Sequence, residues 1–150
     1  MKRILQIAGF ILLAVILGAW AGGLVMMPRA RTQPRYAGPI LSPEADQVLR
    51  ISCFDCHSNE AQYAWFDYMP VAASLVAYDV NQGRRELNFS VWDQYPDDRR
   101  ARKLKEMREQ IEEGEMPTWY YTSLHRDAAL TAKGKQVLLA ALPSGSPSEK

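Results

Sequence analysis

Cysteine and histidine are scarce in this sequence, with two of each in 150 residues. A structural zinc site draws four ligands from clustered Cys and His. With no third cysteine, and the second histidine far off at position 125, such a site finds no ligand set. Strand hairpins and internal repeats are also missing, which removes sheet and repeat architectures. Nor does either charge dominate: 18 Lys and Arg face 17 Asp and Glu, for a net +1. Five of the basic residues (Lys2, Arg3, Arg29, Arg31 and Arg35) precede residue 42 and no acidic one does, so residues 42–150 carry −4. A mildly acidic body argues against a nucleic-acid partner.

The few cysteines and histidines are concentrated. Both cysteines and one histidine fall in Cys53-Phe54-Asp55-Cys56-His57, the CxxCH pattern of covalent c-type haem attachment. Two intervening residues let both thiols reach the vinyl groups on one porphyrin edge, while the imidazole of His57 turns under the iron. A thioredoxin-like dithiol shares the Cys-X-X-Cys spacing but follows a strand in a βαβ unit. Here the stretch before Cys53, Pro43 to Ser52, reads as helix. A disulfide between Cys53 and Cys56 would close too small a loop to stabilise much. One haem c per chain is expected, held by Cys53 and Cys56, with His57 as an iron ligand.

Ile4 to Met27 is an uncharged run whose one polar side chain is Gln6. As a helix it would span roughly 36 Å, enough to cross a bilayer. Lys2 and Arg3 precede it, and Trp20 lies near its far end, where interfacial aromatics are enriched. Ala19-Trp20-Ala21 offers a cleavage site after Ala21, but the apolar run continues to Met27, which favours a retained anchor. Arginines 29, 31 and 35 offset Lys2 and Arg3, so basic residues alone do not orient the span. The haem motif does, because attachment of this type takes place on the outer side of a bacterial inner membrane. The expectation is a single-pass inner-membrane protein with a periplasmic haem domain.

Residues 28–41, with three prolines and Gly38, read as a linker. Extended, it would reach roughly 40 Å and let the domain swing above the membrane, its arginines near anionic headgroups. Ser42 and Pro43 then signal a helix start. A second helix is expected from Pro70, with Val71, Leu75 and Tyr78 on one side and Gly83 near its end. Leu87 to Tyr95 reads as a loop around Phe89 and Trp92. A third helix should run from Asp97 or Asp98 to just before Gly114, turning Leu104, Met107 and Ile111 to the core. A last one should run from Thr131 to Leu142, with Val137, Leu138, Ala141 and Leu142 apolar. The chain reads as all-α: anchor 1–27, linker 28–41, haem domain 42–142 and a disordered tail 143–150.

Four side chains could supply a second axial ligand: Met69, Met107, Met116 and His125. Met107 sits in the apolar stripe of the third helix and reads as core filler. Met116 lies in Glu113-Gly114-Glu115-Met116-Pro117, where Gly114 permits a tight helix exit and Pro117 stiffens the loop. A thioether held in a stiff loop can reach an iron, so Met116 is the favoured ligand, with His125 and Met69 as the alternatives.

The haem motif, the run from Tyr78 to Trp92 and the segment Glu113 to Pro117, followed by the spaced Tyr121, His125 and Ala128 to Leu130, together form a recognisable set. It resembles the small bacterial haem-binding domain proteins related to class I cytochromes c, over about residues 42–142. Gly83-Arg84-X-X-Leu87-Asn88-Phe89-Ser90-X-Trp92 is the most particular part. The resemblance implies a cytochrome c-like helical fold, haem c, and Met116 at the matching ligand position. Two places depart from the family's pattern: Tyr63-Ala64-Trp65 stands where Tyr-Pro-Trp is common, and Ala73-Ser74 where a tryptophan often follows the second helix's proline. Trp65 and Phe66 are expected either to cover the porphyrin edge or to serve as ordinary core.

An iron ligated on both faces changes charge and does little else. The expected function is outer-sphere electron transfer rather than enzymatic turnover, by a membrane-tethered carrier acting alone or within a respiratory or dehydrogenase complex. Its partner would be a redox protein, with no small-molecule substrate. The alternative is a haem peroxidase or gas or redox sensor in which Met116 stays unbound. His57 is expected to donate its outer ring N–H to a backbone carbonyl or carboxylate. Basic residues from Arg99 to Arg108 open the third helix and acidic ones close it, against the helix dipole. Glu112, Glu113 and Glu115 beside Met116 could form an acidic rim that steers cationic partners.

Overall fold

The computed structural model describes residues 2–27, 36 and 38–144. Among them the regular elements are all helical: α1 Lys2–Met26, α2 Pro43–Ser52, α3 Phe54–His57, α4 Ala72–Glu86, α5 Asp97–Glu113, α6 Trp119–Leu124 and α7 Ala132–Ala141. Short 3₁₀ segments occupy Trp65–Tyr68, Phe89–Gln94 and Arg126–Ala128. The all-α expectation holds. Arg29, Arg31 and Arg35, most of the linker and the tail from residue 145 lie outside the described residues.

Helix ends follow local chemistry. Ser42 Oγ accepts from the Ala45 amide at 3.4 Å and Pro43 takes the first helical position of α2, a cap worth about 1 kcal/mol. Asp46, in the opening turn, also accepts from the amides of Ile40 (3.0 Å) and Leu41 (2.8 Å). Together with the Tyr36 amide on Ser90 O (3.1 Å), this ties the end of the linker to the domain. Thr131 caps α7 through the Gly134 amide at 3.0 Å. Arg108 of α5 donates to Leu142 O (2.9 Å) and Pro143 O (2.6 Å), filling carbonyls that a helix C-terminus leaves open.

The core joins Ala45 and Leu49 of α2, Phe54 of α3, Ile111 of α5, Leu138 of α7 and Leu142 just after it to an aromatic group, Phe89, Trp92 and Tyr95. Leu104 and Met107 pack against it, as their spacing predicts. The segment read as a loop is therefore a main part of the core. Phe89 stacks on Phe54 at 5.1 Å, Trp92 lies 6.4 Å from Phe89, and Tyr95 5.8 Å from Trp92. The rings come from two short turns joined by a non-helical Val91 (φ −127°, ψ 25°), with Tyr95 just past the second.

Helix α4 starts at Ala72, two residues later than the proline suggested, and runs through Gly83 to Glu86. Its buried face is small: Ala73, Ala77 and Val80. Val71, Leu75 and Tyr78 point outward. Helix α1 packs on α4 beside Ser74 and Asn81, with Gly23 buried so closely that a Cβ there would fall 2.5 Å from Ser74 N. Helix α1 is long and apolar enough to cross a membrane and fits an anchor. Its last turns lie on α4, so the domain does not hang from the linker alone.

Candidate cofactor site

Cys53 ends α2, its amide on Leu49 O, and its own carbonyl accepts the His57 amide at 2.9 Å. That single turn places positions 53, 56 and 57 as helical neighbours at steps of three and four. All three line one cavity of about 470 Å³, within the range of roughly 300–1,000 Å³ common for cofactor pockets. Apolar side chains dominate its walls, among them Leu87, Phe89, Met107, Ile111, Leu130 and Leu138. Helix α4 presses on the motif at Gly83, where a Cβ would fall 2.7 Å from Cys56 O. Only glycine permits that approach.

His57 Nδ1 lies 3.0 Å from Leu87 O. A carbonyl only accepts, so Nδ1 carries the proton and Nε2 keeps its lone pair for a metal. Burial holds the imidazole below its ordinary pKa, against the raising effect of the Leu87 and Gly83 carbonyls. The ring is thus a neutral, oriented donor. Both cysteines are free of a disulfide. Burial pushes the Cys53 and Cys56 thiols up to about 12, with Asp79 and Asp55 adding to the effect at Cys56. Redox dithiols are activated by the opposite shift, so the thioredoxin-like reading has no electrostatic support.

Met116 lines the same cavity. Gly114 takes a left-handed conformation (φ 78°) that ends α5, and the amides of Glu115 and Met116 both return to Gln110 O, at 3.0 and 3.3 Å. The peptide bond from Met116 to Pro117 is cis. Met107 also lines the cavity while packing on the core. Met69 and His125 do not line it. The His125 ring is engaged at both nitrogens, Nε2 with Asp67 Oδ2 (3.1 Å) and Nδ1 with Tyr121 O (3.2 Å), and stacks on Tyr121 at 4.0 Å. Cys53, Cys56, His57 and Met116 are thus brought together.

Trp65 and Phe66 are not at the cavity: Trp65 is 76% exposed, and Phe66 packs on His125. The aromatic walls come instead from Phe89, Tyr120 and Tyr121. Tyr121 donates its hydroxyl to Asp55 Oδ2 at 2.9 Å, joining α6 to the motif. In the sequence Tyr120 is signalled only by the aromatic run Trp119-Tyr120-Tyr121, which follows Thr118 after the Met-Pro loop. The acidic side chains lining the cavity are Asp55, Asp79, Glu86, Glu106 and Glu109, with Lys103 as the basic one. Glu112, Glu113 and Glu115 are not among them. Glu112 instead pairs with Arg108 at 2.7 Å.

A protein-family model described as a haem-binding domain matches residues 27–143. No curated protein matches the chain, and no solved structure does.

Proposed function

The chain belongs to the haem-binding domain family, and from that membership we propose that it is a membrane-tethered, single-haem c-type cytochrome that transfers electrons. The observation carrying this reading is that Cys53, Cys56, His57 and Met116 line one apolar cavity of cofactor size. Cys53 and Cys56 would hold the porphyrin by thioethers, each thiol adding across a vinyl group. His57 Nε2 and the Met116 thioether would hold the iron. A haem bound there supplies a one-electron ferric/ferrous couple.

The surrounding residues then tune and protect. The Leu87 carbonyl fixes the His57 tautomer. A neutral thioether and a low-dielectric wall both favour the reduced state and raise the potential. Two protein ligands leave no open position for a substrate, which favours electron transfer over enzymatic turnover. Helix α1 would hold the domain at the outer face of a bacterial inner membrane, in the periplasm. The partner would be a redox protein or a larger membrane complex.

The test is the full-length chain produced alongside c-type maturation machinery. Its mass should exceed that of the polypeptide by one haem that resists acidic organic extraction. The oxidised spectrum should carry the weak long-wavelength band of Met ligation. A colourless product with free thiols overturns the reading. A high-spin product that binds carbon monoxide transfers it to a peroxidase or sensor.

A further inference from the structure

Helices α1 and α4 run side by side in the same direction. Ser74 Oγ donates to Ala19 O at 2.7 Å, Gly23 meets the backbone of Ala73 and Ser74, and Asn81 Nδ2 donates to Met26 O at 3.2 Å. Advancing along α1 is therefore advancing along α4. The Trp20 indole donates to the Tyr68 carbonyl, just before α4 begins. The remaining part of α1, Lys2–Gly18, is exposed throughout and extends past the N-terminal end of α4. If that part crosses the bilayer, the N-terminal end of α4 and the segment before it lie at the membrane surface. Gly83, which lines the cavity, stands about 16 Å further along α4 than Ala72, at roughly 1.5 Å per residue.

The surface placed at that level differs from the rest of the domain. From Ala61 to Tyr78 the one charged side chain is Asp67. It is buried, accepting from the Ala64 amide at 2.7 Å and facing His125. Around it Trp65, Tyr68, Met69, Val71, Leu75 and Tyr78 are exposed. A single exposed apolar residue carries no meaning, but a contiguous uncharged group marks a protein or membrane contact. Two observations select lipid. The group continues directly from the exposed apolar surface of α1, and Tyr68, whose carbonyl accepts from the Trp20 indole, sets a second aromatic beside Trp20, both of a kind that favours the headgroup region.

We propose that the face from Trp65 to Tyr78 is a seat for the bilayer interface. Resting on lipid beside α1, it fixes the height and tilt of the domain, so the far part of the α4 cavity wall, Gly83 and Glu86, is held above the membrane surface. This rests on the reading of α1 as a retained anchor.

The test uses the full-length haem-loaded protein in phosphatidylcholine vesicles, with a benzophenone amino acid replacing one residue at a time. Positions 65 and 75 probe the seat, position 12 probes α1, and position 133 on α7 is the distant control. After irradiation, mass analysis should find a lipid adduct at 12, 65 and 75, several-fold above that at 133. Lipid at 12 with none at 65 or 75, or with equal adducts at 65 and 133, overturns the seat and leaves the anchor standing. A protein adduct at 65 or 75 assigns the face to a partner chain and overturns the seat. No lipid at 12 removes the anchor and the seat together.

Discussion

The Nδ1 of His57 donates to the carbonyl of Leu87 across 3.0 Å, linking the haem motif to the residue immediately after α4. The orientation of the ring thus depends on where α4 ends. That position is set in turn by Gly83, one turn earlier, lying against Cys56.

Gly83→Ala tests this dependence. In a free helix interior the change would gain about 1 kcal/mol. Here the new methyl meets backbone 2.7 Å away, and overpacking of this kind costs roughly 1–3 kcal/mol. The overpacking should win, lowering the urea midpoint and the yield of haem-loaded protein. A raised midpoint would show that α4 is not pressed on the motif.

Met116→Leu should remove the second ligand. The expected result is a lower reduction potential and a site that binds carbon monoxide, read by titration and visible spectroscopy. Met107→Leu keeps volume in the core and should leave both readouts unchanged. His125→Gln should also leave them unchanged, because His125 does not line the cavity and its ring faces Asp67 and Tyr121 instead. An unaltered spectrum for Met116→Leu with a changed one for Met107→Leu would reassign the ligand to Met107.

What the sequence made legible was local. The Cys53–His57 spacing, the Ser42 cap, the Leu104/Met107/Ile111 stripe and the Gly114 exit all depend on neighbours within a few positions, and all are found. The face of α4 was not legible, because its buried residues are small. Ala73, Ala77 and Val80 are buried where α4 packs among its neighbours, and Gly23 of α1 comes close to the Ala73 and Ser74 backbone. Large apolar residues were left outside, and a reading by hydrophobicity picks those. The Phe89–Tyr95 segment was not legible as core either, because it is two short turns joined by a non-helical Val91 and carries no sustained helix or strand period.

Burial of His57 predicts an acid limb in stability. Its folded pKa lies below the ordinary 6.5, so below that pH the unfolded chain binds a proton that the folded chain does not. The stabilisation is complete above about 6.5 and is lost as pH falls through the lowered value. In haem-free protein carrying His125→Gln, which leaves His57 as the sole histidine, the urea midpoint should be lower at pH 5 than at pH 7.5. A midpoint that rises on acidification would contradict a buried neutral imidazole.

The side chains that steer a partner should be those lining the cavity rather than those beside Met116 in sequence. Glu86 and Glu109 are exposed and line it, whereas Glu113 and Glu115 do not. Charge at such a rim acts on the encounter rate and is screened over roughly 10 Å at 0.1 M salt. Stopped-flow electron transfer to a cationic redox protein should slow as salt rises. Glu86→Gln and Glu109→Gln should each lower the low-salt rate, by less than about tenfold, and flatten its salt dependence. Glu113→Gln and Glu115→Gln should change neither. If those two variants carry the effect instead, partners approach by the Met116 loop, and the cavity carboxylates serve only the interior of the site.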